Sequence, residues 1–377
     1  VLQPAAFFQA LKEQGITFFT GVPDSLLKDF CAYVTDHTDK SNHIITANEG
    51  NAVALAAGRY LAAGQISLVY LQNSGLGNII NPLTSLTDPL VYGIPVLLLI
   101  GWRGQPGVKD EPQHAKQGQI TLAQLEVLGI KYALLPDTTA EMQAVLQEAA
   151  AYMQARQAPY ALVVRKGSFA PYSLQSEQPT AFPLNREEAL HCVLAHLSDN
   201  DVVVSTTGKT SRELYEYRQA LGQSHARDFL TVGSMGHASQ IALGIALAKP
   251  QTHVYCFDGD GALLMHLGGL AIIGDTAPPN FTHIVFNNGA HDSVGGQPTV
   301  GHRIDIPALA KACGYRTVLQ AASKEEISEQ LAVRQQSPGP ALLEIKIRKG
   351  ARADLGRPRT TPQENKAALM QFLAAVK

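Results

Sequence analysis

Two kinds of apolar pattern alternate along this chain. Short continuous apolar runs at 16–19, 43–46, 66–71, 94–100, 132–135 and 159–165 predict buried strands. Between them lie stretches with helical periodicity or with many small residues: 5–14, 49–63, 141–156, and a helix that starts near Pro23 and Asp24 and carries Leu26, Leu27 and Phe30. Asn48 is placed to cap the helix over 49–63. The second half repeats the scheme. A helix over 186–197 precedes a strand at 201–205 and a turn at 206–211 that feeds another helix. A small-residue helix over 238–248 comes next, then strands at 253–257 and 281–286 around an Ala/Leu/Gly-rich helix at 262–274, and a last strand at 341–347. Strands that feed glycine turns and helices predict an α/β protein of two doubly wound parallel-sheet domains. Residues 171–184 carry Ser, Gln, Glu and Pro without apolar periodicity and read as the linker, which bounds the domains at 1–170 and 185–377, the second including a C-terminal tail. Residues 102–118 are polar and aperiodic, a loop whose length is more typical of a lid than of a connector.

Composition narrows this without redirecting it. A length of 377 residues suits two domains, and 45% hydrophobic with 16% charged residues fits a soluble globular enzyme. A net charge of -2 gives no support for nucleic-acid or membrane-surface binding, and the run 94–100 is too short to span a bilayer. Cys31, Cys192, Cys256 and Cys313 are scattered, with no C-x-x-C, and Cys31 and Cys256 sit in apolar contexts that read as core filling. A reducing, cytoplasmic setting is expected. The first residues lack a basic segment and run directly into an amphipathic helix, so no secretory signal is expected there.

The chemistry gathers where strands end. Gly259-Asp260-Gly261 closes one predicted strand and Asn287-Asn288-Gly289 the next. An acidic residue and an amide at the carboxyl ends of neighbouring strands stand where open α/β sheets bind ligands. A carboxylate, an Asn oxygen and a backbone carbonyl suit Mg²⁺. Taken singly, Gly-Asp-Gly reads as a turn and Asn-Gly as a hairpin. The turn Thr207-Gly208-Lys209 fits a diphosphate cradle of N–H groups and a cation, although Lys209 equally suits the surface or a substrate. Gly75-Leu76-Gly77 nearly spells a dinucleotide fingerprint, but the third glycine is missing and no acidic residue ends the strand at 94–100, which excludes that reading.

Four motifs coincide: Gly259-Asp260-Gly261 with Asn287-Asn288; Asn48-Glu49-Gly50-Asn51-Ala52 opening a helix after a strand; Gly233-Ser234-Met235-Gly236; and Ser74-Gly75-Leu76-Gly77-Asn78. Together they resemble the thiamine-diphosphate-dependent enzymes. There is no room for a central domain between 171 and 183. That compactness, with Gly21-Val22-Pro23-Asp24-Ser25, Asp110-Glu111-Pro112-Gln113-His114, the segment 287–299 and Leu355-Gly356-Arg357-Pro358, makes the chain similar over nearly its full length to 2-oxo acid decarboxylases of the two-domain type.

The resemblance implies a pyrimidine-binding domain followed by a diphosphate-binding domain, with thiamine diphosphate and Mg²⁺ as cofactors. Asp260, Asn288 and the Ala290 carbonyl would hold the metal. Glu49 would hydrogen-bond the pyrimidine N1′, a catalytic role. The Gly233 carbonyl would accept from the 4′-amino group, and Met235 would support the bent cofactor. Ser74 and Gly75 would face the cofactor from the first domain, and Thr207, Gly208, Lys209 and Gly261 from the second. The implied reaction is decarboxylation of 3-phosphonopyruvate to phosphonoacetaldehyde and CO₂, in phosphonate biosynthesis. Sulfopyruvate as substrate, a carboligase of the same cofactor class and a non-catalytic binding module are the alternatives. Asp24, Ser25, Lys109 and His114 are candidates for substrate binding, and His114 and His291 for catalysis; the segment 102–118 also supplies Arg103 and Lys116 for a second anion. A homo-oligomer with sites at the subunit interface is implied as well. In isolation Glu49 reads as ordinary first-turn charge, Met235 as core filler, each histidine as a hydrogen-bonded surface group, and Lys109 and Lys116 as solvated charges. A helix N-terminus lowers a carboxyl pKa, so a proton-sharing Glu49 would also need apolar burial.

Overall fold

The computed structural model describes residues 1–176 and 180–376. The chain divides into two compact units, 1–177 with 293–297, and 178–292 with 298–377. The expected linker, 171–184, includes residues 177–179, which lie outside the described residues.

The first unit is built on a six-stranded parallel sheet of β1 (Phe19–Gly21), β2 (His43–Ile45), β3 (Leu68–Gln72), β4 (Leu97–Gly101), β5 (Lys131–Leu134) and β6 (Tyr160–Val164), in the order β2-β1-β3-β4-β6-β5. Helices cover both faces, so the central strands are apolar throughout. Their side chains alternate between two cores. Leu97, Leu99, Tyr160 and Leu162 join Phe7, Phe19 and Phe30 on one face. Leu98, Ile100, Ala161 and Val163 join Ala52, Val53 and Ala56 on the other. The last three lie on the helix Glu49–Ala63, where Asn48 accepts the Asn51 N–H at 2.9 Å and Gly64, at φ 65°, ends the helix in the left-handed region.

The second unit carries β7 (Val202–Ser205), β8 (Asp228–Leu230), β9 (Val254–Gly259), β10 (Phe281–Asn287), β11 (Thr317–Ala321) and β12 (Ala341–Lys346), all parallel, in the order β11-β12-β10-β9-β7-β8. Counted within each unit, the strand order is the same in both sheets. The helix Pro362–Ala375 closes the β8 edge, where Asn365 accepts the Leu230 N–H (3.0 Å) and donates to the Asp228 carbonyl (2.8 Å). Among the described residues no helix is long and apolar enough to cross a membrane.

Several expectations change. The strand expected at 16–19 begins at Phe19, and the helix expected near Pro23 begins at Lys28, because the Asp24 carboxylate takes the Leu26 N–H (2.8 Å) and holds a turn there. The single helix over 262–274 is two, Asp260–Met265 and Gly269–Thr276, parted at His266 before a glycine pair. Short strands β8 and β11 and the helices Ile306–Ala312, Lys324–Gln335 and Pro362–Ala375 had no counterpart in the sequence reading.

The largest correction concerns 102–118. The helix Pro112–Val127 starts inside it, with proline at the first helical position, leaving only 102–111 as loop. That loop is bound down rather than loose. The Trp102 indole donates to the Gly118 carbonyl at 2.9 Å, and a Cβ on Gly104 would fall 1.9 Å from the His114 carbonyl oxygen, so only glycine lets the two segments touch.

His253 gives the fold a pH dependence. Its ring lies 2.9 Å from Arg334 and 2.8 Å from the Thr282 hydroxyl, and burial, then the Arg334 charge, pushes its pKa down to about 3. The unfolded chain takes up this proton near pH ~6.5 and the folded one only near pH 3, so stability is lost as pH falls through that window, by at most ~1.4 kcal/mol per pH unit. In urea titrations from pH 7 to pH 4, His253→Gln should lose stability less steeply than wild type by about that slope. Parallel curves would show that His253 does not carry it.

Candidate active site

In the second unit the sequence motifs meet at the carboxyl ends of β10, β9, β7 and β8, which are neighbours in that order. Asp260 opens a helix directly after β9 and is 2% exposed. Burial pushes its carboxyl up to about 6, opposed only by the Thr299 hydroxyl and by the N–H groups of Asn288, Asp260 itself and Gly261. No cation is among these partners. A buried carboxylate satisfied by neutral donors alone is costly when ionised, and a bound cation would relieve that cost.

The two asparagines at the end of β10 are bonded differently. The Asn287 amide is consumed by the Gly301 carbonyl (2.9 Å) and Glu344 (2.6 Å). Asn288, 5% exposed, accepts only the nearby Ala290 N–H (3.1 Å) among the bonds seen, so its oxygen keeps capacity for a ligand. The Asp260 carboxylate and the Asn288 side chain thus stand together after β9 and β10 with oxygens of the kind Mg²⁺ takes. Gly301 is needed beside them: a Cβ there would lie 2.6 Å from Asp260 Oδ2. The sequence reading gave no role to Gly301 or to Thr299.

Met235 and His291 both border Gly261. A Cβ on that glycine would meet the His291 ring at 3.3 Å and the Met235 methyl at 3.6 Å. The His291 imidazole is 9% exposed and is pushed down to about 4 by burial, so it is neutral at neutral pH. The turn after β8 is tied to the turn after β7 by the Gly233 N–H, which donates to the Thr207 hydroxyl at 3.1 Å. Three positions here have left-handed backbone, Gly233, Ser234 and Gly236, and Ser234 adopts it without glycine's freedom, a strained conformation of the sort found at ligand sites. Gly208, at φ 100°, leads into the helix Lys209–Ala220. Lys209 is half-buried and reaches Asp292 through the carbonyl (3.1 Å) and the carboxylate (3.4 Å), a pairing no sequence signal announced.

In the first unit the candidate residues follow β2, β1, β3 and β4, again consecutive neighbours. Glu49 is 5% exposed and accepts from the Asn78 amide at 2.7 Å. The turn after β3 closes on it so tightly that a Cβ on Gly75 would lie 2.5 Å from Glu49 Oε1. Ser74 is exposed and bonds Gln72 at 2.7 Å. At the switch point between β1 and β3, Asp24 is fully buried and accepts from Gln72 (2.6 Å); burial raises its pKa. Ser25 is met by Arg103, whose Nη1 donates to its hydroxyl at 2.7 Å. Lys109 is exposed on the loop, so the cation brought to Ser25 is Arg103 rather than Lys109. His114 is 6% exposed and pushed down to about 4 by burial and then by the Arg103 charge.

Comparison with known proteins identifies both halves of the chain. Residues 4–127 match the N-terminal TPP binding domain of thiamine pyrophosphate enzymes, and 206–345 match the C-terminal TPP binding domain. Fold and site thus define a thiamine pyrophosphate enzyme. The chain is 39% identical to a phosphonopyruvate decarboxylase of Streptomyces viridochromogenes, over 93% of this chain and 89% of that one. It is 38% identical to the phosphonopyruvate decarboxylase of Streptomyces hygroscopicus (95% and 90% covered) and 30% identical to a sulfopyruvate decarboxylase of Methanosarcina acetivorans (85% of each). The chain belongs to the phosphonopyruvate decarboxylase family.

Proposed function

We propose that the chain decarboxylates 3-phosphonopyruvate to phosphonoacetaldehyde and CO₂, with thiamine diphosphate and Mg²⁺ as cofactors. The observation that carries this is the 39% identity to a phosphonopyruvate decarboxylase across 93% of the chain. Asp260, Asn288 and Ala290 are assigned to the metal, Thr207, Gly208, Lys209 and Gly261 to the diphosphate, and Gly233 and Met235 to the pyrimidine side. The bound cofactor supplies the electron sink for the pair released as CO₂ leaves. Glu49 shares a proton with the pyrimidine through Oε1, because Asn78 holds Oε2 (2.7 Å). His114 and His291, neutral through burial, act as N–H donors rather than as imidazolium acids.

The test is CO₂ release from 3-phosphonopyruvate, sulfopyruvate and pyruvate, each with and without an acceptor aldehyde. The reading requires 3-phosphonopyruvate to be the best substrate and the acceptor to be dispensable. Preference for sulfopyruvate would move the chain to the sulfonate enzymes, and dependence on the acceptor would make it a carboligase.

Glu49 and Asp260 lie in different units of the chain. The proposed assembly is a homo-oligomer in which Glu49 of one subunit completes the site of Asp260 in another. Glu49→Gln and Asp260→Ala chains, each inactive alone, should recover activity when co-expressed, because one hybrid site keeps both residues. No recovery, or a fully active monomer by light scattering, would refute this assembly.

A further inference from the structure

The loop after β4 folds four donors around one carboxylate. Asp110 accepts from Arg103 Nε (2.8 Å) and Nη2 (2.5 Å), and from the N–H groups of Gly104 (2.8 Å) and Glu111 (2.8 Å). The third guanidinium nitrogen, Nη1, donates to Ser25 Oγ at 2.7 Å. A guanidinium fork, two backbone N–H groups and a hydroxyl form the donor set that a tetrahedral oxyanion takes. Arg103 and Asp110 each keep 17% side-chain exposure, so their contact can open to an incoming anion. Beside them, the buried Nδ1 of His114 and Oε1 of Gln113 have no hydrogen-bond partner. His114 is more than nine-tenths buried, and an unsatisfied polar atom at that depth marks a place where a ligand or water belongs. The loop holds His114 there because Gly104, at φ 67°, rests on the His114 carbonyl.

We propose that Arg103, with the N–H groups of Gly104 and Glu111 and the Ser25 hydroxyl, is the receptor for the substrate's second anion, and that Asp110 is a tethered counterion which the phosphonate displaces. This rests on the decarboxylase reading above. The exchange replaces one anion with another, so the guanidinium stays compensated throughout. A doubly charged head with three oxygens competes with Asp110 for the fork. The methyl group of pyruvate brings no oxygen and leaves the pair closed. Asp110 thus makes selectivity a contest that only a dianionic substrate wins. Asp24, the nearest buried carboxyl, is already satisfied by the Leu26 N–H and Gln72.

The test uses the holoenzyme with two readouts. One is the ratio of kcat/KM for 3-phosphonopyruvate to that for pyruvate. The other is calorimetric binding of phosphonoacetate, an unreactive dianion. Arg103→Gln should lower the ratio ~10²-fold and abolish phosphonoacetate binding, the scale for losing a charged hydrogen-bonding partner. Arg103→Lys, which keeps the charge without the fork, should recover part of both. Asp110→Asn, which weakens the internal competitor, should bind phosphonoacetate more tightly than wild type. Equal losses on both substrates in Arg103→Gln, or weaker phosphonoacetate binding in Asp110→Asn, would make the pair a structural staple and overturn the proposal. Should wild type fail to decarboxylate 3-phosphonopyruvate, the activity reading falls, and the binding arm still decides whether this cradle takes a dianion.

Discussion

Glu49→Gln should bind thiamine diphosphate and Mg²⁺ as wild type does, yet turn over at least ~10²-fold more slowly, the range seen for acid–base groups. The substitution isolates the proton. Gln keeps the length of Glu and its oxygen can still accept from Asn78, which now meets Oε2 at 2.7 Å. The helix that carries it is capped by Asn48, not by Glu49, so its start is untouched. Lost, then, is only the ability to share a proton at Oε1, the oxygen over which Gly75 closes within 2.5 Å of a would-be Cβ. Cofactor affinity by calorimetry and kcat at saturating cofactor separate the two effects. Near-normal kcat would remove Glu49 from the proton path, and lost cofactor binding would recast it as a structural contact.

How much of this was legible in the sequence depends on how local the signal is. The helices Glu49–Ala63 and Ala238–Ala248 appear with the bounds their caps and small residues predict, because those signals lie within a few positions of the ends. The strands that deliver Asp260 and Asn288 were equally plain, as buried apolar runs that stop at glycine turns. What escaped was set by contacts between distant positions. The first turns of Pro112–Val127 bury His114 and Gly118, and neither reads as an apolar stripe, so helix passed for loop. Thr299 and Gly301 stand against Asp260 from far along the chain, and nothing in their own neighbourhood hints at it. Lys109 and Arg103 look alike as charges near a motif. Only the fold shows Arg103 turned onto Ser25 and Asp110 while Lys109 stays in solvent. Strands β8 and β11 lie at sheet edges, and β8 has three residues, too few for a period to register.

Asp260→Asn should abolish turnover while leaving the cofactor-free protein at least as stable as wild type. Asp260 is 2% exposed, and only hydroxyl and N–H donors surround it. At pH 8, well above about 6, it is ionised and carries a buried charge that nothing in the described unit neutralises. An amide of the same shape removes that charge; its oxygen can take the N–H donors while its NH₂ donates to the Thr299 hydroxyl, so the empty site loses a strain rather than a support. With ligand present the order reverses. Binding to the native state alone stabilises it by ~2.7 kcal/mol when ligand stands at 100 times its Kd. Wild type should gain that much, and Asp260→Asn chains should gain little, because a neutral amide holds a hard divalent ion far less well than a carboxylate does. Thermal melts at pH 8, with and without Mg²⁺ and thiamine diphosphate, give both comparisons in one experiment. An apo variant clearly less stable than wild type would mean that Asp260 is a structural residue. A variant stabilised by the cofactors as strongly as wild type would place the metal elsewhere.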